Sequence, residues 1–277
     1  MIIDKIVNNN VVTVLDSKNK EAVVMGRGIG FKKKPGDLID KDNIEKIFTM
    51  DNPSKNQKLI ELLENTPSEY LLITEEIVKH AQDVLGKKLN SSIYVLLTDH
   101  IVFAVDRFKE NIVLQNPMIW EIKTLYKDEY RLGQWSINLI KDKLDIELPE
   151  DEAAFIALHI VNASLGEEMY NTMNITILTK DILKIIKTHF NLDFNEDSLD
   201  YIRLVTHLKF FSQRVFKKEQ LKLEDDDIYN MIVSKYKEEK NCVDKISKYT
   251  ERSFNYTLSK QEIIYLILHI KKVSSKN

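Results

Sequence analysis

The chain begins in one hydrophobic rhythm and continues in another. IIDKIVNNNVVTVLD (2–16) sets β-branched runs either side of an Asn cluster. Asparagine tolerates turn conformations that apolar residues avoid, so the pattern predicts two strands joined at a turn. DSKN supplies another hairpin turn, EAVVM a third strand, and DLIDKDNIEKIFTMD closes the unit as a short helix or strand. DNPSKNQ (51–57) is turn-rich and reads as a linker. Beyond Lys55 apolar residues recur at helical spacing, and glycine punctuation shrinks to Gly86, Gly133 and Gly166. LPEDEAAFIALHIVNA predicts an amphipathic helix with acidic residues in its first turn, where the helix dipole favours them.

The helical part repeats itself. LPEDEAAFIALHIVNA (148–163) aligns with LSKQEIIYLILHIKKV (258–273), sharing Leu, Glu, an aromatic and Leu-His-Ile at an offset of 110. TDHIVFAVDR (98–107) aligns with VTHLKFFSQR (205–214) through His, Phe and Arg, and LYKDEY (125–130) answers KYKEEK (235–240). Three blocks in one order indicate a duplicated helical domain of roughly a hundred residues, with the boundary near Glu168 to Met173. The expected architecture is multidomain: a small all-β domain (1–55) followed by two duplicated all-α helical-bundle domains (65–170 and 171–277).

Composition narrows the function classes. At 277 residues and 43% hydrophobic the chain can bury real cores. No apolar run approaches the ~18 residues that cross a bilayer, and MIIDKIVNNN lacks the layout of a signal peptide. The single cysteine, Cys242, excludes an internal disulfide framework and a Cys-based zinc site. These features predict a soluble, cytoplasmic protein without membrane insertion. The net charge of -3 hides an asymmetry: Met1 to Lys34 carries seven Lys/Arg against three Asp/Glu, while the rest carries 33 against 40. A basic head on an acidic body suggests that the head meets a polyanion.

Four of the seven glycines fall in VVMGRGIGFKKKPGD (23–37). A dinucleotide site needs G-x-G-x-x-G leading into a helix; here the spacing is G-x-G-x-G, and Pro35 and Gly36 prevent a helix from starting. A P-loop needs GK[ST], which is absent. What remains is a strand-rich basic module carrying Asn8, Asn9, Asn10, Arg27 and Phe31. Such amides and arginines can read base edges, and Phe can stack on an unpaired base.

Four of the six histidines hold equivalent places in the repeat: His100 and His159, then His207 and His269. Arg107 and Arg214 each follow a histidine by seven residues, two helical turns, and are expected to make that face positive. Asp99 adjoins His100 and is expected to contact another helix from a different face. His80 and His189 have no counterpart and read as surface or boundary residues. No HExxH, no i, i+4 histidine pair and no GxSxG occurs, which disfavours a metal site or a serine nucleophile. A histidine can instead accept a phosphoryl group, whose charge would remake a helix face.

KIVNNNVV, VVMGRGIGFKKKPGD and IEKIF resemble the co-antiterminator RNA-binding domain of the BglG/SacY family of transcriptional antiterminators. TDHI, EAAFIALHIVNA, VTHLKFF and ILHI resemble its paired PTS regulation domains, so the resemblance covers essentially the whole chain in the expected order. It implies a homodimer whose β-domains bind an RNA hairpin in a leader transcript and so prevent a terminator from forming. Carried over by motif position, the RNA contacts are Lys5, Asn8, Asn10, Gly26, Arg27 and Phe31, with Gly28 conformational. The phosphorylation sites are His100, His159, His207 and His269. The phosphocarrier HPr is expected to activate through the second repeat, and the sugar-specific PTS transporter component to act negatively through the first. Asp99 matches the family's acidic neighbour of the first histidine, whereas the second repeat has Thr206. The resemblance points to β-glucoside utilisation genes and implies no enzymatic activity, no cofactor and no metal. The alternative, a PTS-regulated DNA-binding activator, would need a helix-turn-helix where this chain predicts strands.

Overall fold

The computed structural model describes residues 1–15, 21–48, 58, 60–64, 66–166, 169–221 and 226–275. The DSKN turn and the DNPSKNQ linker lie outside the described residues. The chain forms two compact units, 1–167 and 168–277.

Strands β1 (Ile3–Asn8), β2 (Val11–Leu15), β3 (Glu21–Met25) and β4 (Lys46–Phe48) form an antiparallel meander in sequence order. A 3-10 turn at Lys41–Asn43 precedes β4, so the closing segment contains both of the elements expected of it. Apolar runs such as VVTV, rather than strict alternation, mark a sheet buried on both faces. On one face Ile3, Val12, Val14, Ala22 and Val24 meet Ile29 from the glycine-rich segment and Ile39 from the closing segment. On the other, Val11, Val23, Met25 and Phe48 pack against Ile60, Leu63 and Leu71, with Tyr94 edge-on to Phe48 at 5.0 Å. The sheet and the first helices therefore share a core.

Helices α1 (Ser68–Leu85), α2 (Ile93–Lys109), α3 (Ile119–Leu125), α4 (Lys127–Leu144) and α5 (Glu150–Leu165) complete the first unit. Helices α6 (Met169–Phe190), α7 (Leu199–Lys217), α8 (Asp226–Lys235), α9 (Lys237–Phe254) and α10 (Lys260–Ser274) build the second. The same pairs touch in each: α1 with α2 and α4, and α5 with α2, α3 and α4, answered by α6 with α7 and α9, and α10 with α7, α8 and α9. The architecture is thus a small four-stranded sheet followed by two helical bundles of one topology.

Two expectations need correction. α5 is not amphipathic: Ala153, Ala154, Ile156, Ala157, Leu158, Ile160, Val161 and Asn162 are all buried, because α2, α3 and α4 surround it. Gly133 is not punctuation either. It lies inside α4, where a Cβ would collide with the Ala153 carbonyl, so its lack of a side chain lets α4 and α5 touch backbone to backbone.

Candidate nucleic-acid interface and paired histidine sites

The β1–β2 turn and the glycine loop are stitched into one surface. The Asn10 amide donates to Asn8 Oδ1 (2.9 Å), and Asn10 Oδ1 accepts from the Gly28 amide (2.9 Å). The amides of Gly26 and Gly30 donate to the carbonyls of Asn10 and Asn9, each at 3.0 Å. Gly28 takes a φ of 67°, which a residue with a Cβ adopts only under strain. Arg27 is exposed, and so is Phe31 at 56%, with Lys32 Nζ 5.2 Å from its ring centre. Asn8, Asn10, Gly26, Arg27, Gly28 and Phe31 therefore lie together, and Lys5 belongs to β1, the strand that leads into the turn.

Three of them already have partners in the chain. Lys5 Nζ pairs with Glu64 Oε1 at 2.6 Å, Asn8 Nδ2 donates to the Leu63 carbonyl (3.1 Å), and Asn10 Nδ2 donates to Ser68 Oγ (3.4 Å). Leu63, Glu64 and Ser68 thus lie on this surface, while Arg27 and Phe31 are exposed to solvent. Nothing in the local sequence around Leu63, Glu64 and Ser68 announces their return to the sheet.

In the first helical repeat, α2 carries His100 and Arg107, and α5 carries His159. The two imidazoles lie 4.9 Å apart, centre to centre, and Phe155 lies 5.8 Å from His100. Glu152, 3% exposed, joins them: Arg107 Nη2 donates to Oε1 (3.0 Å), and His100 Nε2 stands 3.0 Å from Oε2. The latter approach is off the hydrogen-bond line, so it is a close contact rather than an aligned bond. Burial pushes the Glu152 carboxyl up, but His100 and Arg107 outweigh it and hold it below its usual range. Burial, aided by His100, pushes His159 down to about 3.

The second repeat uses the same residue types differently. His207 and His269 stack at 4.0 Å, with Tyr265 at 5.2 Å from His207. Glu262 is fully buried. Arg214 Nε donates to its Oε1 (3.3 Å), as does the Tyr256 hydroxyl (2.8 Å), and its Oε2 accepts from the Ser259 amide (3.0 Å). Ser259 Oγ in turn accepts from the Glu262 amide, completing a capping box at the start of α10. No ion pair links Glu262 to His207 among the described residues. Burial, then Arg214 and Lys272, lowers His207; burial, then His207, Lys272 and Arg203, takes His269 down to about 4. A cleft of about 390 Å³ opens over His207, His269, Arg214 and Tyr265.

Each arginine is matched by a glutamate from another helix, which offsets the positive face its spacing suggested, although Arg214 and Lys272 still act on His207 as cations. Asp99 makes no hydrogen bond or ion pair among the described residues, and Thr206 donates to its own helix at Ile202 (2.8 Å). Sequence reasoning passed over Glu152 and Glu262, although the repeat alignment contained their signal as its shared Glu. Among the described residues no group of His, Cys, Asp and Glu is arranged to hold a metal ion, and no helix is long and apolar enough to cross a membrane.

Comparison with known proteins bears on both surfaces. The CAT RNA binding domain matches residues 1–57, and the PRD domain matches twice, at 75–163 and 180–273. Transcription antiterminator LicT of Bacillus subtilis (strain 168) is 48% identical over 273 residues, 99% of each chain. The Beta-glucoside operon antiterminator of Dickeya chrysanthemi is 42% identical over 276 residues, 100% of this chain and 98% of its own. The crystal structure of GlcT CAT-PRDI, 34% identical, covers 58% of this chain and 96% of its own with a TM-score of 0.52.

Proposed function

Because the chain belongs to the BglG/SacY family of transcriptional antiterminators, we propose that it binds an RNA hairpin in a leader transcript and keeps a terminator from forming. It works as a homodimer, for β-glucoside utilisation genes, under control of histidine phosphorylation by HPr and a sugar-specific PTS transporter component. The observation that carries the RNA reading is the joined surface of the Asn turn and the glycine loop. Its rigid backbone holds Arg27 and Phe31 outward, one suited to a base edge or phosphate and the other to stacking.

The histidines are substrates rather than catalysts. Phosphoryl transfer needs a neutral imidazole, whose lone pair forms the N–P bond while the bond from phosphorus to the donor breaks and leaves its electrons with the donor. Burial shifts His159, His207 and His269 toward the neutral form. The added dianion then shifts the balance between arrangements of the repeats. RNA competes with Leu63, Glu64 and Ser68 for Lys5, Asn8 and Asn10, so any shift that frees the sheet from Glu64 favours RNA.

A gel shift of the full chain with a leader-RNA hairpin tests the first part. Arg27→Ala and Phe31→Ala should each weaken binding by about 1–3 kcal/mol, with strong salt dependence. Unchanged affinity in both would place the surface elsewhere.

A further inference from the structure

The two histidine sites share an Arg–Glu pair but differ in what else the glutamate holds. In the second repeat Tyr256 and the Ser259 amide take up Glu262. The aligned positions in the first repeat are Ile146 and Pro149. Isoleucine has no hydroxyl to offer, and Pro149, the residue preceding α5, has neither an amide N–H nor a side-chain acceptor. With no cap to serve, Glu152 reaches His100 instead.

We propose that Glu152 is an electrostatic gate on His100, making it a slower phosphoryl acceptor than the second-repeat histidines, whereas the capping of Glu262 leaves His207 and His269 open. This rests on the reading of the histidines as phosphoryl acceptors. The carboxylate acts on His100 through space: Nε2 stands 3.0 Å from Glu152 Oε2, so a phosphoryl group at that nitrogen would place a dianion beside a carboxylate only 3% exposed. In the second repeat the groups acting on His207 are Arg214 and Lys272, both cationic, and a cleft gives a phosphoryl group room. Glu152 is thus a positioning residue that acts through His100.

The test uses phosphoramidate, a small donor whose P–N bond breaks as the imidazole N–P bond forms and ammonia leaves. It removes protein docking from the comparison. Full-length protein is treated and phosphohistidine is followed site by site by mass spectrometry, with the second repeat as internal control. In the parent protein His207 or His269 should react at least about tenfold faster than His100, and Glu152→Gln should raise His100 by about tenfold while leaving the second repeat unchanged. Ile146→Tyr with Pro149→Ser keeps the glutamate but supplies the missing partners, and should also speed His100. A purely structural role for Glu152 would produce neither gain. Equal His100 rates with and without Glu152, while the second repeat reacts, would sink the gate alone. If no histidine reacts with phosphoramidate or phosphorylated HPr, the phosphoacceptor reading falls, and the gate with it.

Discussion

The first and second helical repeats pair the same helices and keep the same Arg–Glu contact, yet the glutamates serve different ends. Glu262 closes a helix start, a tyrosine and an arginine into one buried knot, whereas Glu152 divides itself between an arginine and a histidine. Duplication has preserved the ion pair that ties two helices together. What varies is the second oxygen, and with it the environment of the histidine. A structural bond and a regulatory contact can thus occupy one side chain, separated only by what stands three and six residues earlier in the chain.

The largest expected effect tests the knot itself. Glu262→Ala should cost the second unit about 3–5 kcal/mol in urea denaturation, because Arg214, Tyr256 and the Ser259 amide all lose a buried partner. Glu152→Ala should cost the first unit at least about 1 kcal/mol less, since Arg107 is its main dependent. Equal losses would break the comparison.

Next comes pH. His159 sits at about 3 in the folded chain against an ordinary 6.5, so the unfolded state takes up the proton first as pH falls. Its contribution to stability is full above 6.5 and is lost on the way down, by about 2 kcal/mol between pH 7 and pH 5. His159→Gln should remove that slope in denaturation curves taken at both pH values. The second unit should lose at least as much over that interval, because His269 at about 4 also lies well below pH 5 and His207, lowered as well, adds to the slope.

A smaller effect isolates the cap. Ser259→Ala should destabilise the second unit by about 1 kcal/mol in thermal melts. No loss would mean that Glu262 is held without the box. Smallest in stability is Glu64→Ala: its ion pair with Lys5 is exposed, so it should change stability by less than about 1 kcal/mol. The same change should tighten RNA binding by up to about fivefold, because RNA then has one competitor fewer; weaker binding would show that Glu64 supports the surface instead.

The repeat was legible because duplication leaves a constant offset, and the strands because β-branched runs flank turn residues. The histidine pairs followed from that offset. The glutamates did not stand out, because their meaning lies across space: Arg107 meets a residue 45 positions away, which a seven-residue spacing along α2 cannot show. Asp99 illustrates the converse, since adjacency to His100 in the chain brings it no partner among the described residues. The burial of α5 all round was masked by its acidic first turn, whose polarity suggested a solvent face. Lys5, Asn8 and Asn10 looked free because their partners belong to a segment some sixty residues on.

The shared core beneath the sheet has a practical side. Val11, Val23, Met25 and Phe48 are covered by Ile60, Leu63 and Leu71, so a fragment ending at residue 57 strips that cover away. An apolar sheet face cannot stay bare in water, and the nearest substitute in solution is the same face of another fragment. Truncation would then create an assembly whose geometry the intact chain holds in check, and a binding constant measured on it would describe a released head rather than a governed one.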